Sequence, residues 1–261
     1  MDSLLLRILS ACVLLPIIFF LGYLGGWALW ILILLFGSVA LWELCLLLNL
    51  RKSDLIPVYL SFLLFLFGLR FPNYLSLELV LLISLLLDTL YSIVKGGSER
   101  SLRAAVILFA PSYLGFLLRY IYLLRAKPEG FYLLTLFLLS TFASDSVAFF
   151  AGKFWGKRKI FPTISPGKTL EGTLASPIGG ILGAVVTALI FNHSPLNVIP
   201  LGVLVSLFAL WGDLFESILK REAKKKDSSN LIPGHGGFLD RLDSLLFTAP
   251  LVYFYSMLFV V

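Results

Sequence analysis

Charge is scarce in this chain. Asp, Glu, Lys and Arg together make up 14% of 261 residues, against roughly 25% in a soluble domain. With 59% of residues hydrophobic, that scarcity excludes a single water-soluble core and points to a protein that crosses a membrane several times. Cysteine is nearly absent. Cys12 and Cys45 lie in apolar stretches without ligand-like neighbours, so they read as small buried hydrophobes rather than metal ligands. No polar segment is large enough to fold alone, and there is no internal repeat and no low-complexity tail. The net charge of +6 sits in the loops, so it speaks first to topology and anionic lipid and not to nucleic acid.

Nine apolar stretches reach or approach the roughly 20 residues that a spanning helix needs: about 4–22, 27–48, 55–70, 74–94, 102–123, 131–151, 175–191, 197–218 and 244–261. The first could pass for a signal peptide. Its long apolar run and lack of a clear small-residue cleavage site favour a retained first helix. A glycine-rich turn, Gly22 to Gly26, joins it to the second, with Tyr23 and Trp27 as interfacial anchors. The expected fold is therefore an all-α polytopic integral membrane protein of about nine transmembrane helices. Residues 1–130 hold about five N-terminal helices, and residues 131–261 form a C-terminal catalytic membrane region. With the N-terminus in the cytoplasm and the C-terminus outside, 17 Lys and Arg fall inside and 4 fall outside. Both large polar loops, 152–174 and 219–243, then face the cytoplasm, where nucleotides are.

An ionisable group within a span is costly unless paired, so each is a functional candidate. Glu43, Glu78 and Asp88 have no accompanying polar motif and read mainly as structural pairings or interface residues. Asp145 differs, because Ser140, Thr141, Ser144 and Ser146 polarise its surroundings. A seam of small polar residues between helices is the alternative there. Asp213 and Glu216 share a helix face, with Lys220 four residues further on, so an i,i+4 ion pair is one reading. Asp240 and Asp243, flanking Arg241, repeat the three-residue spacing where the ninth helix begins, and acidic capping is one reading of them. Two carboxylate pairs brought to one depth by consecutive helices also suit a divalent cation with carboxylate and water ligands.

The loops add cations and glycines. Residues 217–243 concentrate Lys220, Arg221, Lys224, Lys225, Lys226 and Arg241 with Asp227, Asp240, Asp243, His235 and three glycines. Ser165-Pro166-Gly167-Lys168-Thr169-Leu170-Glu171-Gly172 contains GKT without the Walker spacing or a preceding strand, so it is not a true P-loop. It still offers exposed backbone amides, the Lys168 charge and the Thr169 hydroxyl, which suits an anion; an ordinary positively charged turn is the alternative. Gly234-His235-Gly236-Gly237 is too rich in glycine for a helix and suits a backbone turn close against a ligand. His235 there reads either as a phosphate donor or as a turn residue. His193, in a short outside loop, reads as inert.

The pattern Ser217, Leu219, Lys220, Arg221, then Lys226, Asp227, Ser229, then Ile232, Pro233, His235, Gly236, Gly237, Phe238, Asp240, Arg241, Asp243 resembles the signature of the phosphatidate cytidylyltransferases, the CDP-diacylglycerol synthases. Asp145 to Gly152 and Ser165 to Gly172 are similar to two further blocks of that family, with Phe149 where tyrosine is usual. The resemblance covers roughly residues 140–245. It implies transfer of the cytidylyl group of CTP to phosphatidate with a divalent metal, in a bacterial cytoplasmic (inner) membrane. On that resemblance Asp213, Asp240 and Asp243 hold Mg²⁺, with a second metal or K⁺ left open. Lys220, Arg221 and Arg241 neutralise phosphates. Lys168 and Glu171 position CTP or pyrophosphate, with Thr169, Gly236 and Gly237 beside the nucleotide, and Asp145 completes the pocket. CTP and phosphatidate are the expected partners, nucleic acid is not, and a homodimer is preferred on the prevalence of symmetric homo-oligomers. Two other readings compete. A CTP-dependent lipid kinase would release CDP in place of pyrophosphate. An ion-coupled transporter would carry inverted repeats with broken helices, which the sequence lacks.

Overall fold

The computed structural model describes residues 3–95, 100–232 and 236–259, with the side chains of residues 3–11 and 100 left aside. Among the described residues there are nine α-helices and no strand: α1 Ser3–Leu24, α2 Gly26–Leu47, α3 Leu55–Arg70, α4 Leu77–Lys95, α5 Arg100–Ala126, α6 Gly130–Trp155, α7 Leu170–Ile190, α8 Ile199–Glu222 and α9 Leu239–Leu258. Seven of them, α2 to α8, are long and apolar enough to cross a membrane. The first turn of α9 is too polar to join them by composition, since it carries Asp240, Arg241 and Asp243. The chain is an all-α polytopic membrane protein.

The expected spans match the helices closely, with two informative differences. α7 begins at Leu170, five residues before the expected start, because Thr169 caps it: its hydroxyl accepts from the Gly172 amide at 3.2 Å, and Glu171 occupies the first turn. α9 begins at Leu239 rather than at 244, which places Asp240 and Asp243 on the helix itself. In both cases polar residues at a helix start look like loop when only apolar runs are counted.

By contact the chain divides into two compact units, Met1–Tyr122 with Asp227–Leu239, and Leu123–Lys226 with Asp240–Val261. In the first, Leu41 and Leu44 of α2, Phe62 and Leu66 of α3, and Leu114 and Leu118 of α5 are almost wholly buried. The Trp30 indole donates to the Leu66 carbonyl at 2.9 Å. Asp88 accepts from the Ser61 hydroxyl at 3.1 Å, a structural pairing between α3 and α4. Glu78 lies in the first turn of α4. Asp54, which directly precedes α3, accepts from the Tyr91 hydroxyl at 2.9 Å and lies 3.9 Å from Arg103.

The second unit holds α6, α7, α8 and most of α9. α6 and α7 pack backbone against backbone. A Cβ on Gly183 would meet the Ser140 Cα at 2.7 Å, and one on Gly179 the Ser144 Cα at 2.9 Å. Small residues four apart allow this approach between spanning helices. The Thr141 hydroxyl donates to that of Thr248 at 3.1 Å and ties α6 to α9. α8 and α9 meet at Gly212, where an added Cβ would strike the Asp243 carbonyl and come within 3.1 Å of the Ser244 Cα.

Candidate active site

The α6–α7 connection is short and heavily pinned. The Leu170 amide donates to the Arg158 carbonyl at 2.8 Å, the Ile160 amide to the Lys168 carbonyl at 3.3 Å, and the Lys168 amide to the Ser165 carbonyl at 3.1 Å. Glu171 accepts from the Lys157 and Arg158 amides at 3.0 and 3.3 Å. The result is a closed loop that fixes Lys168 one residue ahead of a helix cap. Its ammonium forms an ion pair with Asp213 on α8. Burial alone would lower the Lys168 pKa, but the Asp213 carboxylate, with Asp145 and Asp243 behind it, outweighs burial and raises it above the usual lysine value.

Around this pair lies a cleft of about 550 Å³ within the second unit, a size suited to a small-molecule ligand. Its walls include Asp145 from α6, Lys168 and Thr169 from the loop, Asp213 from α8, and Asp240, Arg241 and Asp243 from α9. Asp145 hydrogen-bonds with Ser244 and lies within electrostatic reach of Lys168, Asp213 and Arg241. Asp243 accepts from the Ser244 amide at 2.6 Å. Four carboxylates from three helices thus meet in one cleft, and the close approach at Gly212 brings Asp213 and Asp243 level.

Other candidates serve elsewhere. Lys220 is buried and ion-paired both to Glu216, four residues before it, and to Asp240 at 2.7 Å. Arg221 donates to the Ile164 carbonyl at 3.0 Å and the Lys225 carbonyl at 3.1 Å, which clamps the α6–α7 loop to the end of α8. Glu171 braces the loop backbone. Gly236 and Gly237 belong to the first unit. His235 lies outside the described residues. Lys153 and Lys159 line the cleft, whereas the sequence reading counted them only toward topology. Their position after Gly152, beside the Lys168 loop, was the available signal.

No group of three His, Cys, Asp or Glu residues among those described converges to form a metal cage. The donor chemistry nevertheless suits Mg²⁺. The cleft's acidic lining, Asp145, Asp213, Asp240 and Asp243, offers carboxylate oxygens from three helices. Mg²⁺ retains waters and takes one or two carboxylates plus substrate phosphates, so it needs no complete protein cage.

A multi-helix membrane protein with a cleft of opposed carboxylates and cations is built to handle phosphates. The chain belongs to the cytidylyltransferase family, which it matches over residues 5–259. A phosphatidate cytidylyltransferase of Bacillus subtilis is 36% identical over 270 residues, covering 97% of each chain. One from Aquifex aeolicus is 39% identical over 152 residues, 58% of this chain and 55% of that one. One from Haemophilus influenzae is 45% identical over 138 residues, 49% of this chain and 46% of its own length.

Proposed function

We propose that this chain transfers the cytidylyl group of CTP to phosphatidate, giving CDP-diacylglycerol and pyrophosphate. The observation that carries the reading is the joining of Asp145, Asp213, Asp240 and Asp243 with Lys168 and Arg241 in one cleft, in a chain of this family. In the reaction a phosphatidate oxygen attacks the α-phosphorus of CTP. The bond from that phosphorus to the bridging oxygen breaks, and pyrophosphate leaves with the electron pair. The lipid phosphate is already anionic at neutral pH, so no strong general base is required. The barrier lies in bringing polyanions together and holding charge on the transferring and departing groups.

The residues divide this work. Lys168 and Arg241 offset charge on the phosphates, with Lys153 and Lys159 at the same cleft. Lys220 and Arg221 hold the framework: Lys220 sets Asp240 against α8, and Arg221 fastens the Lys168 loop. Glu171 positions the nucleotide indirectly, by fixing that loop. Asp213, Asp240 and Asp243 would hold Mg²⁺, and Asp145 completes the acidic wall. Bound Mg²⁺, alone or with a second cation such as K⁺, supplies charge neutralisation on the phosphoryl oxygens. The Lys and Arg distribution supports a cytoplasmic N-terminus and cytoplasmic polar loops, in a bacterial cytoplasmic membrane. A homodimer accords with the prevalence of symmetric assemblies.

The test is turnover of purified protein in detergent with α-phosphorus-labelled CTP, phosphatidate and Mg²⁺. Label should enter the lipid phase with release of pyrophosphate, and EDTA should abolish this. Label left in water as CDP, with phosphorylation of a lipid alcohol, would move the reading to a lipid kinase. Full turnover in EDTA would remove the metal.

The α8–α9 contact makes a separate prediction. Gly212→Ala must displace α9, since the new methyl meets Asp243 backbone. A misplacement approaching 1 Å costs about 10²-fold in rate, so kcat should fall roughly 10- to 100-fold in protein that still folds. Parental kcat would mean that the spacing of Asp213 and Asp243 does not govern the chemistry.

A further inference from the structure

Glu43 has no place in the transfer described above. It is the only charged residue of α2, and it is fully buried. A charge so placed is costly unless every lone pair is met. Here they are met by one segment some 190 residues away in the chain. Oε2 accepts from the Ser228 hydroxyl at 3.1 Å and the Leu239 amide at 2.7 Å. Oε1 accepts from the Ser229 hydroxyl at 2.5 Å and the Phe238 amide at 3.1 Å. A carboxylate has about four acceptor sites, and four donors fill them.

Two features indicate that this arrangement is more than a packing contact. The Phe238 and Leu239 amides open α9, so Glu43 caps that helix from another helix and sits at its positive end. The glycine at 237 is what admits the carboxylate. A Cβ there would collide with Glu43 Oε1 and the Ser228 hydroxyl, and would lie 2.6 Å from the Glu43 Cδ. The structure thus gives Gly237 a local task, leaving room for Glu43.

We propose that Glu43 is a positioning residue for cytidylyl transfer: its carboxylate pins residues 228, 229, 238 and 239 and so sets the start and register of α9, whose next residues in the chain are Asp240, Arg241 and Asp243. The proposal rests on the reading that those α9 residues act in the reaction.

The experiment compares Glu43→Gln, Ser228→Ala/Ser229→Ala and Gly237→Ala in the full chain, with Asp240→Asn and Asp243→Asn as references. Three quantities are read: kcat and KM for CTP, tryptic cleavage after Lys224 to Lys226, and the thermal midpoint. Glutamine keeps the shape but turns an NH₂ toward an amide that can only donate. Second-sphere losses of this kind cost about 10- to 100-fold. Glu43→Gln should lower kcat by that factor with KM within about threefold and speed cleavage at the lysine run first, with only a small fall in the midpoint. Adding it to the double serine variant should do less than the product of the two effects.

Parental kcat in folded Glu43→Gln overturns the proposal. So does a fall in kcat matched by a much lower midpoint and cleavage spread along the chain, which is the mark of a structural role alone. If Glu43→Gln does not fold, the double serine variant decides on the same readouts. Activity retained in Asp240→Asn and Asp243→Asn would instead sink the reading of the site, whereas inactive references beside a fully active Glu43→Gln sink only the role of Glu43.

Discussion

Replacing Lys168 with methionine should reduce kcat about 10²- to 10³-fold while the protein still folds. The side chain occupies the centre of the acidic cleft, paired with Asp213 and within reach of Asp145 and Asp243. Without it, three carboxylates share one space with Arg241 as the remaining nearby cation from α9. Loss of one preorganised electrostatic group in an enzyme site typically costs this much. Methionine retains most of the length, and the loop's backbone bonds do not depend on the ammonium. Lys168→Arg should restore little, because a planar fork does not reproduce a compact point charge. The measurement is steady-state turnover with CTP and phosphatidate beside a thermal midpoint; kcat within threefold of the parent would remove Lys168 from the reaction.

The same residue has a pH consequence. Its pKa is raised in the folded protein, so its contribution to stability is fully present below the unfolded lysine value of about 10.4. That contribution is lost as pH rises through the higher folded value. Across the neutral range the cleft therefore keeps this charge, and any alkaline decline in activity at a pH below the ordinary lysine value belongs to another group.

The second large effect is expected at Asp240. Asp240→Asn should lower turnover by about 10³-fold or more and leave the fold intact. Asparagine keeps the shape and removes the charge, and Lys220 retains Glu216 as its partner, so no buried cation is stranded. The lost charged hydrogen bond costs about 1–3 kcal/mol of stability, which a membrane protein of this many helices tolerates. What it cannot replace is the carboxylate charge at the start of α9. Turnover near the parental value would sink the assignment of Asp240 to the metal.

Much of this was legible in the sequence, for identifiable reasons. Long apolar runs between polar loops mark helices, so nine helices and their approximate bounds followed, of which seven among the described residues are long and apolar enough to span. Asp145, Lys168, Asp213, Asp240, Arg241 and Asp243 stood out because charge in an apolar chain is costly, and they do line one cleft. The starts of α7 and α9 were misplaced because Thr169 and the α9 aspartates are helix-opening residues that composition scores as loop. Lys220 and Arg221 were expected to neutralise phosphates; their contacts in the fold, with Glu216, Asp240 and two backbone carbonyls, were not legible. Sequence gives the charge of a side chain but not its direction. Glu43 was read mainly as a structural pairing, but its partners were out of reach: two of the four are backbone amides, which carry no residue identity, and all lie at least 185 positions away.

The contact of Gly212 with Asp243 also fixes a depth. Ten residues separate Gly212 from the end of α8 at Glu222, or about 15 Å at 1.5 Å per residue. Asp243 therefore lies well down the flank of α8, while α9 itself opens four residues nearer the α8 end, where Asp240 meets Lys220. The acidic cluster thus sits below the end of α8, along the polar cleft. In the proposed reaction, nucleotide and lipid headgroup meet below the end of α8, not at it. The packing of α8 against α9 then governs how far both can enter, so a change far from the loops but on that seam acts on access as well as on geometry.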